Sequence, residues 1–248
     1  MKKNHVIMLT IIAASLICSN LIQLSGWRPS PIFWRYTAWL AIDAIAIWAI
    51  VAIGRIKPHQ PEHSPLEYGG IFLFLVGAMA FYGISTTVIT NLITLINPAM
   101  MPELEHAGQL HDWSPQKSMI GNLWPIVAAP VLEEIIFRVG ILGGLMLIIR
   151  KPWAIVFSAG IFALNHADIY PPPTVAITFI FGLIAAATYL ILGLRAAIIV
   201  HMLSNSHELW RPFIIQHEYL MMGYIVLMFT ALFIFIHQLI RHRRLVLR

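Results

Sequence analysis

An all-α, polytopic membrane protein, with about eight transmembrane helices around an intramembrane polar cavity, is the fold class this sequence predicts. Three observations lead there. Of 248 residues, 59% are hydrophobic and only 11% charged, with a mean hydropathy of +0.78, far from the balance of a soluble domain. The apolar residues fall in runs close to the roughly 20 residues that cross a bilayer. Lys and Arg gather at alternate ends of these runs, as the positive-inside rule requires.

The runs follow one another along the whole chain. The first, near residues 6–24, comes after a basic start; "MKKNHVIMLTIIAASLIC" resembles a secretory signal, but no small-residue cleavage site follows, so it reads as the first span. Further runs lie near 36–54, 71–96, 119–149, 153–169, 174–194, 196–209 and 219–240. The seventh, "AAIIVHMLSNSHEL", is short and polar, which suits a helix sheltered by its neighbours and lining a cavity. In the fourth, Pro125 and Pro130 are expected to break the helix, so that the span proper begins near Val131 and Glu133 lies close to its outer end.

With eight spans and both termini cytoplasmic, Lys2, Lys3, Arg55, Lys57, Arg150, Lys151, Arg195 and the tail "RHRRLVLR" fall inside. Only Arg28, Arg35, Lys117 and Arg211 fall outside, together with the acidic connection after the third run. The basic residues therefore report topology in a cell membrane and not a nucleic-acid partner, despite a net charge of +5. A single cysteine, Cys18, allows neither a disulfide framework nor a cysteine-rich metal site. No repeat, low-complexity tract or linker divides the chain, so residues 1–248 form one membrane-embedded domain.

"PVLEEIIFR", residues 130–138, places two carboxylates and a guanidinium inside an apolar run. Each such charge costs about 2.5–3.5 kcal/mol at the centre of a span, so the three require partners, a wet cavity or a task. Glu133 and Glu134 are adjacent and diverge by about 100° around a helix. Arg138, four residues after Glu134, is placed to neutralise it and leave Glu133 facing elsewhere. Phe162 and His166 in "FALNH", and His201 and Asn205 in "HMLSN", repeat the four-residue spacing on two other helices. A carboxylate and an imidazole converging on one water make a general-base pair, while a second imidazole and an amide suit an oxyanion.

Taken singly, each feature has a plainer role. A Glu/Arg pair fixes packing, a lone histidine is a hydrogen-bonded packing residue, Asn205 is interhelical glue and Phe162 is core. It is their joint occurrence that points to chemistry. Asp43 stands alone in its helix and reads as a packing or cavity-lining residue. His207 and Glu208 fall at the wet end of the seventh run, and His106, His111 and Asp112 lie in a hydrophilic loop. "YPPPT" at 170–174 reads as a stiff connector.

In this order the three patterns, Glu-Glu-x-x-x-Arg at 133–138, Phe-x-x-x-His at 162–166 and His-x-x-x-Asn at 201–205, resemble the motifs of the CAAX prenyl protease and bacteriocin-processing family, also called Abi. The resemblance covers about residues 119–210 and does not reach the first three helices. It implies a glutamic intramembrane protease, a hydrolase acting on a membrane-associated peptide: a prenylated tail, a bacteriocin leader or a bacteriocin-immunity target. It implies that Glu133 and His166 activate water, that His201 and Asn205 form the oxyanion hole, that Glu134 and Arg138 support the site, and that Phe162 shapes the pocket.

Glu133, His166 and His201 also have the chemistry of three zinc ligands. The H-E-x-x-H helix of zinc proteases is absent, however, and the resemblance favours a metal-free mechanism with no cofactor. Two readings from other classes stand beside the protease: a proton-coupled transporter, which would call for two related halves that the sequence does not show, and a non-catalytic immunity or scaffold protein that binds a peptide. The expected partners are a peptide at the membrane and the bilayer itself; the sequence is silent on oligomeric state.

Overall fold

A chain in lipid must satisfy its own backbone hydrogen bonds, and a helix does so within a single segment. The computed structural model, which describes residues 2–24, 32–59, 68–102, 122–167 and 174–247, is accordingly helical, with no strand among the described residues. In chain order the helices are α1 (Lys2–Leu24), α2 (Ile32–Trp48, continuing as a π turn over Ala49–Gly54) and α3 (Tyr68–Ile96). α4 is composite: a π turn at Trp124–Ala128, regular helix over Ala129–Glu134, a π stretch over Ile135–Leu142 and a last turn at Gly143–Met146. α5 (Lys151–Leu164), α6 (Val175–Leu192), α7 (Leu194–Gln216), α8 (Glu218–Arg241) and the short α9 (Arg243–Leu247) complete the bundle.

The protein is an all-α membrane protein. Gly69–Ile96, Val175–Leu192 and Glu218–Arg241 are long and apolar enough to cross a bilayer, and shorter apolar helices occupy Lys3–Ser19, Leu40–Gly54 and Lys151–Leu164. Each of the eight apolar runs coincides, in its described part, with one of α1–α8. Two expectations need correction. The polar seventh run is not short: its helix continues to Gln216, with α4, α6 and α8 packed against it. Nor do Pro125 and Pro130 break the fourth run: the helix continues through both, Pro125 within the π turn and Pro130 at the start of the regular segment that follows it. The acidic connection with His106, His111 and Asp112, and residues 170–173 of the proline run, lie outside the described residues.

α4 is the centre of the bundle, packed against α1, α2, α5, α6 and α7. Its glycines set how closely its neighbours approach. A methyl group at Gly140 would fall 2.6 Å from Ile50 Cδ1 and 2.9 Å from Ile12 Cδ1, so the absence of a side chain there lets α1 and α2 close on the π stretch. Ile50 meets Gly140 and Ile56 meets Gly143, so α2 and α4 run in the same direction. At the far end of α6, Tyr189 Oη accepts a hydrogen bond from the His59 backbone N–H at 2.8 Å, and the His59 ring lies 3.2 Å from the Leu190 carbonyl through Nε2. This latch ties the segment leaving α2 to α6. α3 and α8 pack together at the side of the bundle, and α8 turns Tyr219, Val226, Phe229 and Phe233 outward as an apolar surface suited to lipid.

Candidate active site

One turn of α4 divides its two carboxylates as their angular separation requires. Glu134 faces inward and is fully buried, whereas the Glu133 side chain keeps a quarter of its exposure. Three donors serve Glu134. Arg138 Nε donates to Oε2 at 2.8 Å and Nη2 to Oε1 at 3.3 Å, while His201 Nδ1 lies 3.0 Å from Oε1. A carboxylate this deep is tolerable because paired charge and hydrogen bonds replace its hydration. The Arg138 guanidinium, equally buried, has its Cζ 5.2 Å from the centroid of the Phe162 ring, a cation–π arrangement.

Glu133 meets both histidines. Its Oε2 is 3.5 Å from His166 Nε2 and 3.8 Å from His201 Nε2. α5 ends at Leu164, and His166 follows in the turn, where its Nδ1 sits 2.8 Å from the Phe162 carbonyl. A carbonyl only accepts, so His166 Nδ1 carries a proton, and in its neutral form the ring turns its Nε2 lone pair toward Glu133. An ionised carboxylate and a neutral imidazole nitrogen are then two acceptors facing one another, an arrangement suited to a molecule with two hydrogens to donate, such as water. By the same reasoning His201 spends its Nδ1 proton on Glu134, and only as an imidazolium does it present an Nε2–H on the Glu133 side.

Aromatic rings fix these imidazoles. Phe162, almost fully buried, has its centroid 4.5 Å from the His166 ring and 5.8 Å from the His201 ring, and packs edge-on to Phe137 at 5.1 Å. Phe181 of α6 lies 4.8 Å from His201 and 5.8 Å from Phe162. Asn205, one turn beyond His201, donates from Nδ2 to the Pro125 carbonyl at 2.7 Å. Glu133, Glu134, Arg138, Phe162, His166 and His201 are thus one cluster drawn from α4, α5 and α7, and Asn205 adjoins it against the first turn of α4. Among the described residues no group of three His, Cys, Asp or Glu side chains has the arrangement of a metal site.

Sequence reasoning missed two contributors, and read a third, Asp43, as a packing or cavity-lining residue without its partner. Phe181 stands in a run of apolar residues with nothing to distinguish it. The Pro125 carbonyl is a backbone group and leaves no trace in side-chain patterns. Asp43, solitary in its own helix, lies within electrostatic reach of Glu133; the parallel course of α2 and α4 explains this, since Asp43 precedes Ile50 by as many residues as Glu133 precedes Gly140. A signal for Asp43 was present, an acid in an apolar span, but its partner belonged to another helix.

Residues 115–207 match a family model described as Rce1-like, Type II CAAX prenyl endopeptidase. The matched stretch contains the six clustered side chains and Asn205. Neither the curated proteins nor the solved structures include a match to this chain.

Proposed function

We propose, from the match of residues 115–207 to the Rce1-like CAAX prenyl endopeptidases, that this chain is a membrane hydrolase of that kind and cuts a peptide bond with a water activated by Glu133 and His166. The observation that carries this reading is the convergence of the two imidazole Nε2 atoms on one Glu133 oxygen from separate helices. Water held between Glu133 and His166 attacks the scissile carbonyl carbon as Glu133 takes its proton. The carbonyl oxygen gains the negative charge of the tetrahedral intermediate, and His201, as an imidazolium supported by Glu134, shares with the Asn205 amide the work of stabilising it. Collapse breaks the C–N bond, and the proton on Glu133 passes to the leaving amine. Glu134 and Arg138 hold His201 in place, and Phe162 walls the pocket.

The substrate class is a peptide embedded in or lying on the membrane, either prenylated or of the bacteriocin type. With eight spans and cytoplasmic termini, His166 follows the outer end of α5, which favours access from the outer leaflet and so an exported or membrane-inserted peptide. The test is incubation of the purified protein with a farnesylated peptide and with a bacteriocin-leader peptide, and location of any cut by mass spectrometry. Cleavage should vanish in Glu133→Ala and His166→Ala while both variants remain folded, and it should survive chelators. Retained cleavage by either variant would reject the assignment. Labelling a cysteine engineered near His166 from each side of the membrane reads the side of opening.

A further inference from the structure

The hydrogen bond from Asn205 to Pro125 joins an amide at the site to a carbonyl whose ordinary partners are missing. In the π turn of α4, the Ala129 N–H is given to the Trp124 carbonyl, five residues back. The next N–H in that pattern, the one that would serve the Pro125 carbonyl, belongs to residue 130, a proline with no N–H to give. A bare helical carbonyl away from water needs a donor, and Asn205 Nδ2 supplies it at 2.7 Å. A neighbouring helix docks on a second α4 carbonyl in the same manner: Ser158 Oγ of α5 donates to Phe137 at 3.1 Å, within the other π stretch.

We propose that Pro130 is a positioning residue for the reaction: by withholding an N–H it frees the Pro125 carbonyl to anchor Asn205, and so aims that side chain. A carboxamide has two N–H bonds on one nitrogen, in one plane. With one of them fixed on Pro125, the other is fixed in direction and remains for the reacting carbonyl. The bond also clamps α7 to the first turns of α4, the helices that supply His201 and Glu133. The aiming role rests on the hydrolase reading above, whereas the anchor itself does not.

The experiment separates the two. Thermal unfolding is measured on the full chain in detergent for wild type, Pro130→Ala, Asn205→Ala and the double variant. Alanine at 130 restores a backbone N–H for the carbonyl, so Pro130→Ala should melt at the wild-type temperature or above it. Asn205→Ala should lower the melting temperature of the wild type but, in the Pro130→Ala background, by less than about half as much, since the two changes act on one carbonyl. Equal losses in both backgrounds would overturn the anchor. Cleavage of the farnesylated peptide should show kcat reduced roughly ten- to a hundredfold in Pro130→Ala with KM little changed; an unaltered kcat would overturn the aiming role. If the wild type cleaves none of the peptides, the hydrolase reading fails, and the melting cycle still decides the anchor. Pro130→Ser supplies the same N–H, and failure of both variants to fold would also reject the proposal, because it makes the ring dispensable for folding.

Discussion

α4 with α5 and α7, and α3 with α8, are two ways of holding helices together in lipid. The first group is joined by charge and hydrogen bonds: Glu134 gathers Arg138 and His201, and Asn205 and Ser158 dock on α4 carbonyls. The second is joined by shape. Gly77 of α3 lies so close to the Ala231 carbonyl of α8 that a methyl group would collide with it, and Phe74 packs edge-on to Phe235 at 4.9 Å. Lipid tails are as apolar as leucine, so close packing of small residues is what helices without polar groups have to offer each other. The comparison teaches that polar ties fix the side chains gathered around the carboxylates, while close packing of small and aromatic residues joins the flank.

The largest effect expected from breaking this contrast is on turnover. Glu133→Gln keeps the shape but removes the proposed base, and should lower kcat by about a thousandfold or more with the melting temperature almost unchanged, read by peptide cleavage and thermal unfolding together. Next comes Arg138→Met, which leaves Glu134 buried with one fewer partner. It should cost about 3–5 kcal/mol of stability, measured by unfolding in mixed detergent, and should abolish cleavage even in the folded fraction because His201 loses its support.

On the flank the order of effects reverses. Gly77→Ala should destabilise by about 1–3 kcal/mol through overpacking, yet cleavage per folded molecule should stay close to wild type. A loss of kcat there without loss of stability would erase the distinction between the regions. Smallest of all, Gly83→Ala on the same helix meets nothing within 4 Å and should stabilise by less than about 1 kcal/mol, as helix propensity alone dictates.

The sequence carried the all-helical membrane fold and the Glu134–Arg138 pairing, because apolar run length and four-residue spacing are local properties of the chain. Contacts between helices were less legible. Phe181 reaches His201 only through the packing of α6 on α7, and Asp43 reaches Glu133 only through the shared direction of α2 and α4. The two prolines in the fourth run pointed to a break by local rules, but five-residue hydrogen bonding absorbs the first and a side chain from another helix compensates for the second. Where a backbone group is satisfied from elsewhere, the primary structure shows the deficit and conceals the remedy.

The latch between His59 and Tyr189 lies some distance from the chemistry: Tyr189 is eight residues past Phe181, about 12 Å along α6. It pins together the ends of α2 and α6 that lie away from the carboxylates, so the two helices are braced against each other at a point remote from the chemistry.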